Sequence, residues 1–330
     1  MEFTLSGNSL KIFARSVASI ARIGTEVVFE SSSSQLSIHT LNSSRSAYQS
    51  IKYKPDFFDV YTIVSGAQVK CSVLLKDMCA VLRTAVSNID HLDMRLDDPD
   101  ASKVQWTLFC FSGMKKTYWI TCNTEPDSQH LSLDRSKLPS SFVVRPRDLY
   151  RLLANFQSNL HEITVIATAP LLVPPDAADQ IGGKAVELRS YIDPTQEIDS
   201  SLYTQLWIDP AEEFVQYTHA GNPVDVTFSV KELKAFLSFC EACEVDIHFY
   251  FDKAGEPILM VPKFGLDDGS GSNFDATLVL ATMLISQLNS QYPSETPPAT
   301  NSTPASQQVE DGNAAENHPS GHTRIWSDLS

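Results

Sequence analysis

The sequence predicts an α+β fold, mostly antiparallel sheet with a few amphipathic helices laid over it. Three features of its 330 residues predict this. A strand–helix–strand–strand–strand order occurs four times, the strand segments alternate with period two, and the helical segments follow the 3.6-residue period. The recurrence is one of pattern and not of residue identity.

The first unit opens on a strand at Phe3–Ser6 and a helix over Asn8–Arg22, then runs through strands at Glu26–Glu30, Gln35–Leu41 and Ala47–Tyr53. The second has a strand at Val69–Leu75, a helix over Lys76–Ile89, and strands at Leu92–Leu96, Val104–Phe111 and Lys115–Cys122. The third has a strand at Phe142–Arg145, a helix over Pro146–Gln157, and strands at Glu162–Thr168, Lys184–Ile192 and Leu202–Ile208. The fourth has a strand at Val224–Val230, a helix over Lys231–Cys243, and strands at Val245–Phe251, Ile258–Phe264 and Phe274–Thr282. Ile163, Val165 and Ala167 illustrate the strand alternation. Asn8 or Ser9 caps the first helix; Pro146 suits the first turn of the third, with Asp148 near its positive end.

The polar, turn-rich stretch 123–140 divides the units two and two. It predicts an N-terminal domain over 1–122, a connecting loop over 123–140 and a C-terminal domain over 141–288. From 289 to 330 Ser, Thr, Pro, Asn and Gln dominate, so this tail is expected to be disordered.

Composition is that of a globular protein, 42% hydrophobic and 20% charged. No apolar run approaches the roughly 20 residues of a membrane span, and MEFTLSGNSLK lacks a basic segment followed by an apolar core. A cytosolic or nuclear protein is expected. Cys240 and Cys243 form a lone CxxC inside a helical pattern, without the further ligands that a zinc site needs. No metal or cofactor is expected.

The net charge of −15 argues against nucleic acid until the cations are placed. At 100° per residue, Lys11, Arg15 and Arg22 fall within about 40° of one another, opposite Phe13, Val17 and Ile20. Lys76 and Arg83 fall within about 20°, opposite Met78, Leu82 and Ile89. Arg147 and Arg151 are one turn apart, and Lys231 and Lys234 are neighbours with Glu241 close by. Any amphipathic helix has a solvated charged face. Four equivalent helices aiming cations to one side of a sheet predict a locally positive wall fitted to an elongated polyanion. Few Asn or Gln accompany these cations, so the expected contacts are to phosphates of double-stranded DNA and insensitive to base sequence.

Enzyme readings are weaker. DHLDMRLDDPD, Asp90–Asp100, suggests a two-metal nuclease. Its alternation, with Asp93 and Asp97 facing away from Leu92, Met94 and Leu96, reads instead as a half-exposed strand. No nucleophile–base constellation stands out, Gly182-Gly183 lacks phosphate-loop spacing, and the sequons at Asn42 and Asn301 carry no weight without a secretory signal.

The segment ARIGTEVVFE with LSIHTLNSSRSAY, within Ala21–Tyr48, resembles the Rad9 family, a subunit of the nine-one-one checkpoint clamp; the heptad Asn42–Tyr48 is its most specific part. Val226–Met260 and Phe274–Met283 resemble it too, so the likeness spans about residues 1–285. The resemblance implies the DNA-clamp fold of proliferating-cell nuclear antigen: two similar domains of two β-α-β-β-β units each, helices on the inner face, antiparallel sheets outside. It implies a non-catalytic subunit of a heterotrimer with two other clamp subunits, set on damaged DNA by a clamp loader in the nucleus and recruiting checkpoint activators and repair enzymes. The rivals are a homotrimeric replication-type clamp and, less strongly, the nuclease.

By position, the resemblance assigns the subunit-joining edge strands to Lys115–Cys122 and Lys184–Ile192. It assigns partner docking to Leu41 and Arg45 with Leu131 and Leu133 of the loop, although loop leucines often only anchor. The family's tail is long, Ser-rich and phosphorylated, with a basic import segment. Here the tail holds one Lys or Arg, Arg324, with Thr296 and Thr303 before prolines and Ser327 before Asp328 as phosphorylation candidates.

Overall fold

A computed structural model describes residues 1–63, 68–99, 101–127, 129–169, 185–191, 203–264 and 272–288. Thr296, Thr303, Ser327, the rest of the tail and Gly182-Gly183 lie outside the described residues.

The first unit comprises β1 (Glu2–Ser6), α1 (Gly7–Ile20), β2 (Glu26–Ser31), β3 (Leu36–Leu41), β4 (Ala47–Tyr53) and a short β5 (Val60–Thr62). The second comprises β6 (Val69–Leu74), α2 (Leu75–Val81), β7 (Ile89–Arg95), β8 (Lys103–Cys110) and β9 (Lys115–Asn123). The third has β10 (Ser140–Val144), α3 (Pro146–Leu153), β11 (Glu162–Ala167), β12 (Val186–Ser190) and β13 (Gln205–Ile208), followed by α4 (Pro210–Glu213) and β14 (Gln216–Thr218). The fourth has β15 (Val224–Ser229), α5 (Val230–Ala242), β16 (Asp246–Phe251), β17 (Ile258–Lys263) and β18 (Phe274–Leu280).

One sheet of 14 strands runs β14-β10-β16-β17-β18-β4-β3-β2-β6-β9-β8-β7-β1-β5, and a second of four runs β13-β12-β11-β15. The two halves of the long sheet meet where β18 pairs antiparallel with β4, from Phe274 opposite Tyr53 to Leu280 opposite Ala47. At least three buried aromatic side chains fill each half between sheet and helices. Trp106, Phe3 and Phe13 serve the first. In the second, Phe142 stacks 4.5 Å from Phe249 and 4.7 Å from Phe214, centroid to centroid. A smaller cluster of Tyr48, Leu131, Leu259 and Val279 lies apart from that core, where the connecting loop meets β4, β17 and β18.

Two helices are shorter than the period predicts. The second ends at Val81, and residues up to Asn88 form a turn and a 3-10 segment before β7 starts at Ile89. Thr84, Val86, Ser87 and Asn88 favour non-helical backbone, and Ile89 buries itself as a strand residue, 3% exposed. Arg83 therefore sits in a turn, and the wheel linking it to Lys76 does not apply. The third helix ends at Leu153, so Phe156 packs from a following turn. Among the described residues, no helix is long and apolar enough to cross a membrane.

Candidate nucleic-acid interface

The four longer helices among the described residues lie side by side. α1 packs against α2 on one flank and α5 on the other, and α3 packs against α5. Ser19 Oγ donates to Ala235 O at 3.2 Å, and Tyr150 OH to Lys234 O at 3.1 Å. On α1, Leu10, Phe13, Val17 and Ile20 are buried while Lys11, Arg15 and Ala18 are exposed, with Arg22 exposed just past its end. Burial of one helix face against the sheet turns the opposite face outward.

Lys76, Arg83, Arg147, Arg151 and Lys231 are also exposed, and Lys234 is half-buried. Among the described residues, Lys11, Arg22, Lys76, Arg83, Lys231 and Lys234 make no ion pair with a carboxylate. The other three cations have partners that the sequence did not reveal. Arg15 donates Nη1–H to the carbonyl of Ala242 at the C-terminal end of α5, where the helix dipole favours a cation. Arg147 Nε is 3.9 Å from Glu241, and Arg151 Nη2 is 2.5 Å from Glu213 and 3.7 Å from Asp148. These surface pairs are weak, worth about 0–1 kcal/mol, so a phosphate can compete for the guanidinium groups.

The first part of the acidic stretch, Asp90–Arg95, belongs to strand β7, with Leu92 and Met94 buried and Asp93 half-buried, while Asp97 lies beyond the strand end. Asp93 accepts from Thr4 Oγ1 at 2.8 Å, and Arg95 pairs with Glu2 at 2.5 Å. Cys240, the first member of the CxxC, is buried within α5, and burial pushes its thiol well above the usual range. A thiol held protonated is a poor metal ligand.

The edge assignment of Lys184–Ile192 is wrong. β12, Val186–Ser190, lies inside its sheet between β11 and β13, and the outer strand is β13, Gln205–Ile208. Edge position follows from the order of hairpins: each strand of the meander is added outside the last. β9 does have an open edge. Its pairing with β6 involves only Cys122 and Asn123, while Lys115–Thr121 pair with β8 alone.

The family model for Rad9 matches residues 13–283. The chain belongs to the Rad9 family. Among curated relatives of this Rad9-family chain, the Drosophila melanogaster cell cycle checkpoint control protein Rad9 is 26% identical over 80% of this chain and 54% of its own length. The Schizosaccharomyces pombe DNA repair protein rad9 is 24% identical over 86% of this chain and 71% of its own. The chain thus spans about half the length of the fly relative. Among solved structures, PCNA from Thermococcus kodakaraensis covers 85% of this chain with a TM-score of 0.62 at 14% identity, and 99% of that chain is covered. A PCNA2–PCNA3 complex from Sulfolobus tokodaii also gives 0.62, at 13% identity and with 86% and 100% coverage. The fold is that of the PCNA-like clamps.

The connecting loop of this Rad9-family chain crosses the long sheet beside β4 and β18. Leu131 is 8% exposed, packed with Tyr48, Leu259 and Val279; Leu41 and Leu133 are half-buried against them. Leu131 thus anchors the loop, and little of it is left for another molecule. Arg45 is exposed at the β3–β4 turn with φ +56°, a backbone held by Asn42, whose Oδ1 accepts from the N–H groups of Ser46 and Ala47 at 2.8 and 3.0 Å. A groove of about 750 Å³ runs beside the loop, lined by Glu30, Tyr48, Lys70, His130, Leu131 and Leu133 among others. At its end Glu30 pairs with His130 at 2.6 Å, and His39 lies buried behind them. Burial holds the His39 imidazole down at about 4, so it is neutral near pH 7. Nothing in the spacing of Glu30, His39 and His130 announces that they meet.

Proposed function

We propose that the chain is a non-catalytic subunit of a heterotrimeric clamp that encircles duplex DNA in the nucleus. A clamp loader places it at damaged DNA, where it recruits checkpoint activators and repair enzymes. Two domains, 1–122 and 141–288, flank the connecting loop, and phosphorylation of Thr296, Thr303 and Ser327 tunes recruitment.

One observation carries this reading: the β18–β4 joint inside the chain. It pairs the last strand of the fourth unit with the last long strand of the first. The equivalent strands of the second and third units, β9 and β13, each present an open edge: β9 beyond its short pairing with β6, and β13 at the end of its sheet. A chain that joins its own halves this way and presents the same two strand types at its ends suits head-to-tail closure into a ring. In such a ring the row of helices lines the hole. Lys11, Arg15, Arg22, Lys76, Arg83, Arg147, Arg151, Lys231 and Lys234 then face phosphates, which reconciles DNA with a net charge of −15. Leu133 lines the docking groove and Leu131 fixes its wall, while Leu41, packed on the same cluster, and Arg45, exposed at the β3–β4 turn, extend the docking surface beyond it. The names of the relatives, checkpoint control and DNA repair, agree with this role.

The test is retention on closed circular DNA by the assembled clamp. Replacing both Lys76 and Arg83 by glutamine is expected to lower the salt slope of DNA binding by about 1.8 and the affinity about 30-fold near 0.15 M salt, with assembly unchanged. Retention and slope equal to the parent would remove these cations from the DNA-facing wall. A stable homotrimer of the isolated chain, measured by mass, would favour a replication-type clamp instead.

A further inference from the structure

Three side chains from separate elements converge at the groove beside the connecting loop. Glu30 comes from β2, His39 from β3 and His130 from the loop. A potential ligand atom from each lies within 4.8 Å of the other two. His130 Nε2 is 2.6 Å from Glu30 Oε2, and the two imidazole rings are 5.0 Å apart, centroid to centroid. His39 is only 3% exposed, yet neither of its ring nitrogens has a hydrogen-bond partner among the described residues. A neutral imidazole carries one donor and one acceptor, and burying both unmet is costly. Native cores rarely leave such a ring unpaired without a reason.

We propose that Glu30, His39 and His130 bind a divalent transition-metal ion of the zinc class, pinning the connecting loop to the sheet. Two imidazoles and one carboxylate are a zinc-type donor set that leaves a fourth position for water. The nitrogens disfavour calcium and magnesium, which take oxygen ligands. Ligands on one zinc at about 2.0–2.2 Å sit roughly 3.4 Å apart, so the 2.6 Å contact between Glu30 and His130 must open as the ion enters. His130 is exposed and lies on the loop, so its rotation can supply the movement. Lys70 Nζ stands 3.5 Å from Glu30 Oε1, and its charge opposes the incoming cation. The metal would hold the loop next to the Leu131 anchor, where the groove takes its shape. This proposal does not depend on ring closure or on DNA.

The experiment uses the full chain, titrated with Zn(II) against a fluorescent chelator. One equivalent is expected to bind, and hydrogen exchange across residues 124–139 is expected to slow when it does. His130→Ala changes an exposed loop residue and leaves the core alone; His39→Ala removes the buried ligand. Each should weaken binding by about tenfold or more, as lesser changes around metal sites already do. Lys70→Ala should tighten it. The chain also carries six free cysteines, so Co(II) substitution distinguishes the ligands: the proposed site gives no thiolate-to-cobalt charge-transfer band. Absence of Zn(II) binding in the parent, or equal affinity in His130→Ala, would overturn the assignment. So would a thiolate band from the tight equivalent.

Discussion

Replacing Trp106 by alanine is expected to lower folding stability by about 3–5 kcal/mol. The ring sits on β8, 1% exposed, and touches three other elements. Its centroid is 5.9 Å from Phe3 on β1 in an edge-on contact, 6.1 Å from Phe13 on α1 in a stacked one, and 6.2 Å from Phe29 on β2. Truncation would leave a cavity bounded by sheet on one side and helix on the other. Those elements are tied by their own backbone ladders and cannot both close in, so the loss includes a cavity cost beyond transfer. Phenylalanine at the same position separates the causes. The Trp106 Nε1–H has no acceptor among the described residues, so Trp106→Phe loses volume but also removes an unmet donor. It should cost about 1–1.5 kcal/mol. Urea midpoints of the three proteins at equal slope give the comparison. An alanine variant within about 1 kcal/mol of the parent would mean that the helix and sheet repack around the site.

Strand identity was legible wherever alternation and turn chemistry agreed. Ala47–Tyr53 has the bounds read from sequence because the turn residues Asn42–Ser46 precede an alternating run. Lys115–Cys122 falls one residue short of β9. Helix length was less legible: the apolar period of the second helix continues through Ile89, but that residue is buried as a strand. Edge position was not legible in β12, because its neighbours are set by topology and not by its own composition. The exposure of Lys11, Arg15, Arg147, Arg151 and Lys231 followed from the helical wheel, since exposure is local, whereas Arg83 is exposed from a turn and Lys234 is half-buried. What each cation meets did not, because Arg15 finds Ala242 and Arg147 finds Glu241 only after α1, α3 and α5 are packed together. Glu30, His39 and His130 escaped for the same reason: β2, β3 and the loop supply one residue each.

Thr117→Pro is expected to leave the chain folded and, in the proposed ring, to weaken assembly by roughly 100-fold, about 3 kcal/mol at the joint. Parity along β9 decides which residues face the open edge. Cys122 N–H donates to Ser102 O at 2.9 Å, and Cys110 N–H donates to Met114 O at 2.9 Å, both across the β8–β9 hairpin. In the same register Lys116 lies opposite Leu108, Tyr118 opposite Trp106 and Ile120 opposite Val104. Antiparallel backbone groups alternate sides, so the even-numbered residues turn theirs to β8, and Thr117 and Trp119 turn theirs to the open edge. Proline at 117 thus removes an N–H that pairs with nothing in this strand's own ladder, and edge strands tolerate such a change. An incoming strand would lose that donor and meet the pyrrolidine ring. Tyr118→Pro is the opposing control: it breaks the ladder to β8 and should unfold this half of the chain at lower temperature. Sedimentation with the partner subunits reads assembly, and thermal unfolding reads the fold. Full assembly of the Thr117→Pro chain would place the joint on some other strand, and the pairing of β18 with β4 would then be no guide to how one chain meets the next.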